Sequence, residues 1–133
     1  MSTHTGTHKR LNLSALGREL HILLTTFRRD GSGVGTPVHV AVEDGHAYCR
    51  TWHTTGKLKR IRNNPHVTVA PSTIGGTPTG PTMPARVRIL EGEEADRAAR
   101  ALGHRYPILH SWLIPLGHRL MGKRTVHMEL LPE

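Results

Sequence analysis

Apolar residues recur along this chain with two different periods, and the alternation between them marks out its elements. From Thr36 to Val42 the period is two: Thr36, Val38, Val40 and Val42 fall on one face, His39 and Ala41 on the other, the pattern of a half-buried strand. The runs His21–Arg28 and His46–Trp52 read as strands on either side of it. The connections are Asp30-Gly31-Ser32-Gly33 and Glu43-Asp44-Gly45, both hairpin signals. His66–Ala70 reads as a fourth strand ended by Pro71. Thr82–Leu90 is a fifth, with Ala85, Val87 and Ile89 on one face and Arg86 and Arg88 on the other. Thr125–Leu131 is a sixth. The period changes to three and four at Leu13, Leu16 and Leu20, which predicts a short helix over Leu11–Leu20 with Asn12 or Ser14 as its cap. Leu58 and Ile61 predict a second helix with a narrow apolar face and a wide basic one, stopped by Asn63-Asn64-Pro65. Glu93–Arg105 predicts a third, acidic first and basic later, as the helix dipole favours.

Strands joined by tight turns pair antiparallel, so the order predicts a mainly β fold with short helices: an antiparallel sheet closed into a barrel. A chain of 133 residues fits one domain, taken as 11–133. Residues 1–10 are Thr, His and Gly with little to bury, and are expected to be a disordered tail. Ser72–Pro81 is rich in Gly, Thr and Pro and is expected to be a mobile loop. Ile108–Met121 is partly apolar and broken by Pro115; it is expected to line a substrate pocket, to cover a dimer seam, or both.

Charge narrows the partners. The formal charge is +8, which favours an anionic ligand, although four lysines among 18 basic residues leave much of the excess to arginine. The single Cys49 forbids an intrachain disulfide and makes the cytoplasm the expected compartment. No run is apolar for the roughly 18 residues that a spanning helix needs, so no membrane partner is expected. The histidines contain no HExxH, so no metal site is expected. The five aromatic residues are not interleaved with the basic ones as a base-stacking surface requires, so nucleic acid is not the expected partner.

The segment Arg50-Thr51-Trp52-His53-Thr54-Thr55-Gly56-Lys57 brings together the parts an anion site needs. A strand ends, hydroxyl residues and a glycine follow, and a lysine opens a helix whose free N–H groups and dipole face the same place. An ordinary helix cap with a solvated basic face explains the same residue types about as well. The segment is not a Walker loop, since Thr51 stands where the first glycine belongs and Leu58 follows the lysine. His39 and His127 lie on strands, where a proton donor or a structural histidine fits; no side chain stands out as an obligatory catalytic acid or base. Arg86 and Arg88 read as a solvated strand face with partners such as Glu91 or Glu93.

The ordered set LLTTFR (23–28), DGSGVGTPVHVAV (30–42) and YCRTWHTTGKLKRIRNNPHVTVAP (48–71) resembles the pyridoxamine-phosphate-oxidase-like split-barrel family. The resemblance spans about residues 13–132. It implies a six-stranded antiparallel split β-barrel that works as a homodimer, with the cofactor site at the subunit interface. It implies a cofactor phosphate held by Thr51, Thr55, Gly56 and Lys57, with Arg50 adding charge and the backbone of Thr36, Pro37 and Val38 lying along the ring system. The TGK step and the grouping of Lys57, Lys59, Arg60 and Arg62 look most like the branch that uses coenzyme F420, with FMN as the alternative cofactor. The activity implied is hydride transfer between cofactor and an unsaturated small molecule. A non-catalytic flavin- or F420-binding protein needs the same residues.

Overall fold

A computed structural model describes residues 11–18, 20–52, 56–105 and 125–133. The tail 1–10 and the segment 108–121 lie outside the described residues, as does Thr55. In chain order the elements are α1 (Leu13–Arg18), β1 (His21–Phe27), β2 (Gly33–Glu43), β3 (His46–Trp52), α2 (Gly56–Asn63), β4 (His66–Ser72), β5 (Met83–Ile89), α3 (Gly92–Arg105) and β6 (Thr125–Pro132). The strands close in the order β1-β2-β3-β6-β5-β4, and every neighbouring pair is antiparallel. The chain is therefore the six-stranded antiparallel barrel that its sequence predicts.

The alternation read from the sequence decides what fills the barrel. Ile22 and Leu24, Val38 and Val40, Cys49, Val67 and Val69, Ala85 and Val87, and Met128 and Leu130 all point inward and form one core. Leu16 of α1 and Ile61 of α2 join it from the helices. Fully burying a Leu or Ile side chain contributes about 1.5–3 kcal/mol, so this layer supplies most of the driving force. α3 builds a second cluster on the outside: Ala98, Ala101 and Leu102 pack on Ala41, Tyr48 and Leu90.

Local signals fix the ends. Asn12 caps α1, with its side-chain oxygen accepting from Ala15 N at 3.2 Å. Asp44 and Gly45 both have positive φ (53° and 78°), the turn that a two-residue Asp-Gly hairpin requires. β2 begins at Gly33, three residues earlier than predicted, because Gly33 and Gly35 extend the ladder opposite Phe27 and Thr25.

Pro71 corrects an expectation. It does not end β4, which continues to Ser72 beside β1. The β4–β5 ladder has already stopped at Val69↔Met83, so Pro71 sits where β4 has one ladder neighbour and its missing N–H does little harm. The loop after it, expected to be mobile, is hydrogen-bonded within itself: Thr73 N donates to Thr77 O (2.9 Å), Gly76 N to Thr73 O (3.0 Å) and Thr79 N to Pro71 O (2.7 Å).

Candidate cofactor site at the split

The barrel opens along one seam. β2 pairs with β3 only from Val40↔Cys49 to Glu43↔His46. Before Val40, β2 keeps β1 as its partner through Gly33–His39; after Cys49, β3 keeps β6 through Arg50–Trp52. The stretches 36–39 and 50–52 are thus two lips of a split. Pro37, which has no N–H to give, lies on the lip where β2 has a single ladder neighbour. α2 starts beyond the β3 lip and plugs this end with Leu58 and Ile61.

The residues that the sequence analysis singled out converge here. Thr36, Pro37 and Val38 lie on one lip, Arg50 and Thr51 on the other, and Gly56 and Lys57 open α2. Val38 and Thr51 turn into the barrel and are buried; Pro37 is exposed and lies against Gly76 of the 73–79 loop. Thr36 Oγ1 is buried and has no hydrogen-bond partner. An unsatisfied buried hydroxyl costs about 1–3 kcal/mol, so folds seldom leave one without a reason.

Lys57 is half-buried, and burial holds its ammonium below the ordinary lysine range, with Arg60 pressing the same way. Among the described residues it has no hydrogen bond or acidic partner. Its charge lies near Cys49, whose buried thiol is pushed up to about 12 by the apolar barrel interior, slightly offset by Lys57. The two sides of the split thus hold a cation and a hydroxyl donor, both partly withdrawn from water, with no counter-charge on Lys57 among the described residues. That donor set suits a phosphate.

α2 does not present the wide basic face that was predicted. Arg60 turns inward and donates from Nε to the fully buried Thr26 Oγ1 of β1 at 2.7 Å. Its guanidinium also fills the space above Gly56, where an added Cβ would come within 2.9 Å of Nη1. Lys59 and Arg62 remain exposed. Nothing in the period of the helix shows this, because the reason is the buried hydroxyl two strands away in sequence.

Arg88 has acidic partners, though not Glu91 or Glu93. It donates to Glu94 Oε1 (3.1 Å) and Oε2 (2.6 Å) and to Glu129 Oε1 (2.8 Å), and Glu129 Oε2 lies 2.5 Å from His46 Nδ1. Register explains the choice: Arg88 lies opposite Glu129 on β6, and the turn into α3 brings Glu94 above it. His39 and His127 are half-buried on the outward side of their strands. Among the described residues no group of three or more His, Cys, Asp or Glu could hold a metal, and no helix is long and apolar enough to cross a membrane.

Comparison with known proteins sets this geometry among relatives in fold. No family model matches the chain, and no curated protein matches it. Solved structures do. A Listeria innocua protein provisionally assigned as a pyridoxamine 5'-phosphate oxidase superposes with a TM-score of 0.61 at 20% identity, covering 91% of this chain and 90% of its own. HutZ, the haem storage protein of Vibrio cholerae, gives 0.65 at 14% identity, covering 90% and 86%. An F420-H2 dependent reductase gives 0.59 at 18% identity, covering 84% and 93%. The chain therefore has the split-barrel fold of pyridoxamine-phosphate-oxidase-like proteins, as its sequence resemblance implies. At these identities the likeness is one of fold, and the fold serves three different purposes in the three proteins.

Proposed function

We propose that this chain binds the phosphate-bearing end of a deazaflavin, coenzyme F420, in the split between β2 and β3, and acts as an oxidoreductase on an unsaturated small molecule. FMN is the alternative cofactor. The observation that carries the reading is the presence, on the two sides of one split, of a buried, unpartnered Thr36 hydroxyl and a half-buried Lys57 that has no acidic partner among the described residues. Both defects are removed by one ligand, an anion with acceptor oxygens.

In this reading Lys57 and Arg50 supply charge, Thr36, Thr51 and Thr55 donate hydroxyl hydrogen bonds, and the start of α2 at Gly56 offers backbone N–H groups. The backbone of Thr36, Pro37 and Val38, left without β3 as a partner, is free to bond the edge of a flat ring. When bound, the cofactor supplies the hydride chemistry; the chain supplies orientation and a dry, positively charged seat. The fold it shares with an F420-H2 dependent reductase is compatible with this cofactor. The protein is proposed to be a homodimer in which the partner covers the outer face of β1 and β2. There Gly33, Gly35 and Pro37 are exposed beside half-buried Leu23 and Phe27, and Ile74 stands out at the loop tip.

The test is a fluorescence titration of the purified chain with coenzyme F420 and with FMN, repeated on Lys57→Ala. The expected outcome is tighter binding of F420, weakened about tenfold or more by the substitution, as loss of a charged hydrogen bond of about 1.5–3 kcal/mol requires. Preference for FMN keeps the seat and changes the cofactor. Binding of neither refutes the seat. Turnover of the bound, reduced cofactor with a quinone or enone acceptor separates an enzyme from a carrier.

A further inference from the structure

The start of α2 gathers two cations and no acid. Lys57 is the second residue of the helix and Arg60 the fifth, and the first turn carries no acidic residue. Among the described residues no carboxylate pairs with either of them. Helical side chains lean back toward the N-terminus. Arg60 does so far enough that its Nη1 stands 2.9 Å from where a Cβ on Gly56 would be. Both charges therefore collect at the end of the helix whose dipole is itself positive, and they are like charges three residues apart. Burial holds the Lys57 ammonium below the ordinary lysine range, and Arg60 presses the same way. A helix built for stability alone avoids this arrangement.

The position of Arg60 is fixed from below. Its Nε donates to Thr26 Oγ1 at 2.7 Å, and Thr26 is fully buried on β1. The bond holds one edge of the guanidinium and leaves Nη1 and Nη2 without a hydrogen bond among the described residues. A buried hydroxyl is satisfied by any neutral donor; it does not call for a charge placed beside a lysine at a positive helix end. A planar fork held at one edge, with four N–H donors open, is the geometry that grips an oxyanion. Gly56 belongs to the same device, because a side chain there would push the guanidinium off the helix start.

We infer that Arg60, braced by Thr26, is the second cation of the anion seat, and that Lys57 and Arg60 share one phosphate group between them. The inference rests on reading the split as that seat. It makes Thr26 a positioning residue, which acts on the ligand only through Arg60. It also means that the seat takes inorganic phosphate without the rest of a cofactor, since both cations act on the phosphate itself.

The test follows thermal unfolding of the full chain as chloride is replaced by inorganic phosphate at constant ionic strength. Screening is then fixed, and only specific binding moves the midpoint, read against each variant's own phosphate-free value. The wild-type midpoint is expected to rise with phosphate. The apparent Kd is expected to increase about tenfold in Arg60→Gln and in Lys57→Ala. It is expected to stay at the wild-type value in Arg86→Ala, which removes an exposed charge of the same sign on β5. Arg60→Lys keeps the charge without the fork and is expected to lose about threefold; it carries the test should Arg60→Gln fail to fold. Thr26→Val is expected to lose about threefold on its own and nothing further beside Arg60→Gln, a coupling that a residue serving only the core would not show. A loss with Lys57→Ala and none with the Arg60 variants overturns the inference and leaves the seat standing. Independent, additive losses from Thr26→Val and Arg60→Gln overturn the brace. An absence of any phosphate effect on wild type overturns the seat and the inference together, as does an equal loss with Arg86→Ala, which would assign the binding to overall charge.

Discussion

The two sides of the barrel treat their polar groups in opposite ways. Under α3, on the seam of β3, β6 and β5, the Glu129 carboxylate is buried, yet it is matched by Arg88 and His46, and Arg88 is matched again by Glu94. The far end of the same helix is tied down by His104 to Glu43 at 2.9 Å and by Arg105, which donates to Gly17 O at 2.7 Å. At the split, among the described residues, Thr36 Oγ1 has no hydrogen-bond partner and Lys57 is half-buried without an acid. Both regions bury polarity, and among the described residues each leaves one buried side-chain atom without a hydrogen bond, Thr36 Oγ1 at the split and Arg105 Nε on α3; what separates them is that the charges around Glu129 are paired. Where Arg88, Glu94, His46 and Glu129 hold α3 against the barrel, the fold pairs their charges. Where polar groups are left incomplete beside an open seam, the proposed ligand would complete them.

The largest effect that would test this contrast is at Cys49, the residue at which the β2–β3 ladder ends. With its thiol pushed up to about 12, only about one molecule in 10⁴ carries a thiolate at pH 8, roughly a thousandfold fewer than an ordinary thiol. Alkylation by iodoacetamide in native conditions is therefore expected to be at least about a thousandfold slower than in urea, and slower still with cofactor bound. Rapid native labelling would mean that the seam opens further than the ladder suggests.

Next in size is a pair of substitutions, one on each side. Leu130 lies on β6 between Ala47 of β3 and Val87 of β5 and is buried in the core. Leu130→Ala is expected to lower stability by about 2–5 kcal/mol in urea unfolding, with cofactor affinity little changed. Thr36→Val is expected to do the reverse. It removes an unpartnered hydroxyl, so stability should stay level or rise by up to about 1 kcal/mol, while cofactor binding weakens by about fivefold. A loss of stability near that of Leu130→Ala would show that Thr36 serves the fold rather than a ligand.

The barrel itself was readable from period-two alternation, because each strand buries one face only and that constraint is written locally. Val38 and Val40, or Ala85 and Val87, declare their faces without reference to any partner. The residues of the proposed site were legible only as types in order, from Arg50 to Lys57, because an anion site at a helix start would need a particular local sequence. What depends on register was not readable. Nothing in the strand pattern says that the β2–β3 ladder stops at Val40↔Cys49, that Arg60 reaches back to Thr26, or that Arg88 finds Glu94 and Glu129 instead of Glu91 or Glu93. The prolines were the nearest signal. Pro37 and Pro71 both sit where a strand has lost one neighbour, and each was available as a marker of a ladder end.

The smallest expected effect concerns His39, on the lip of the split. Its folded-state value lies below the usual 6.5, with burial as the main cause. A base whose value is depressed by folding takes up protons more readily when unfolded. Its contribution to stability is therefore present above about pH 6.5 and lost as pH falls through that value towards the folded-state one. Without an added anion, urea unfolding is expected to show stability declining over this window, and His39→Asn is expected to flatten the decline. The α3 side predicts a slope of the same sign, at lower pH, for its exposed member. Glu94, held below the usual carboxylate range chiefly by its hydrogen bonds from Arg88, keeps its contribution down to the ordinary glutamate range and loses it only as pH falls further. The two sides should thus separate along the pH axis, the split responding near pH 6.5 and the helix lock only below about pH 4.5. A single transition in the acid range, unchanged by His39→Asn, would mean that the lip histidine does not feel the neighbours that the strands set beside it.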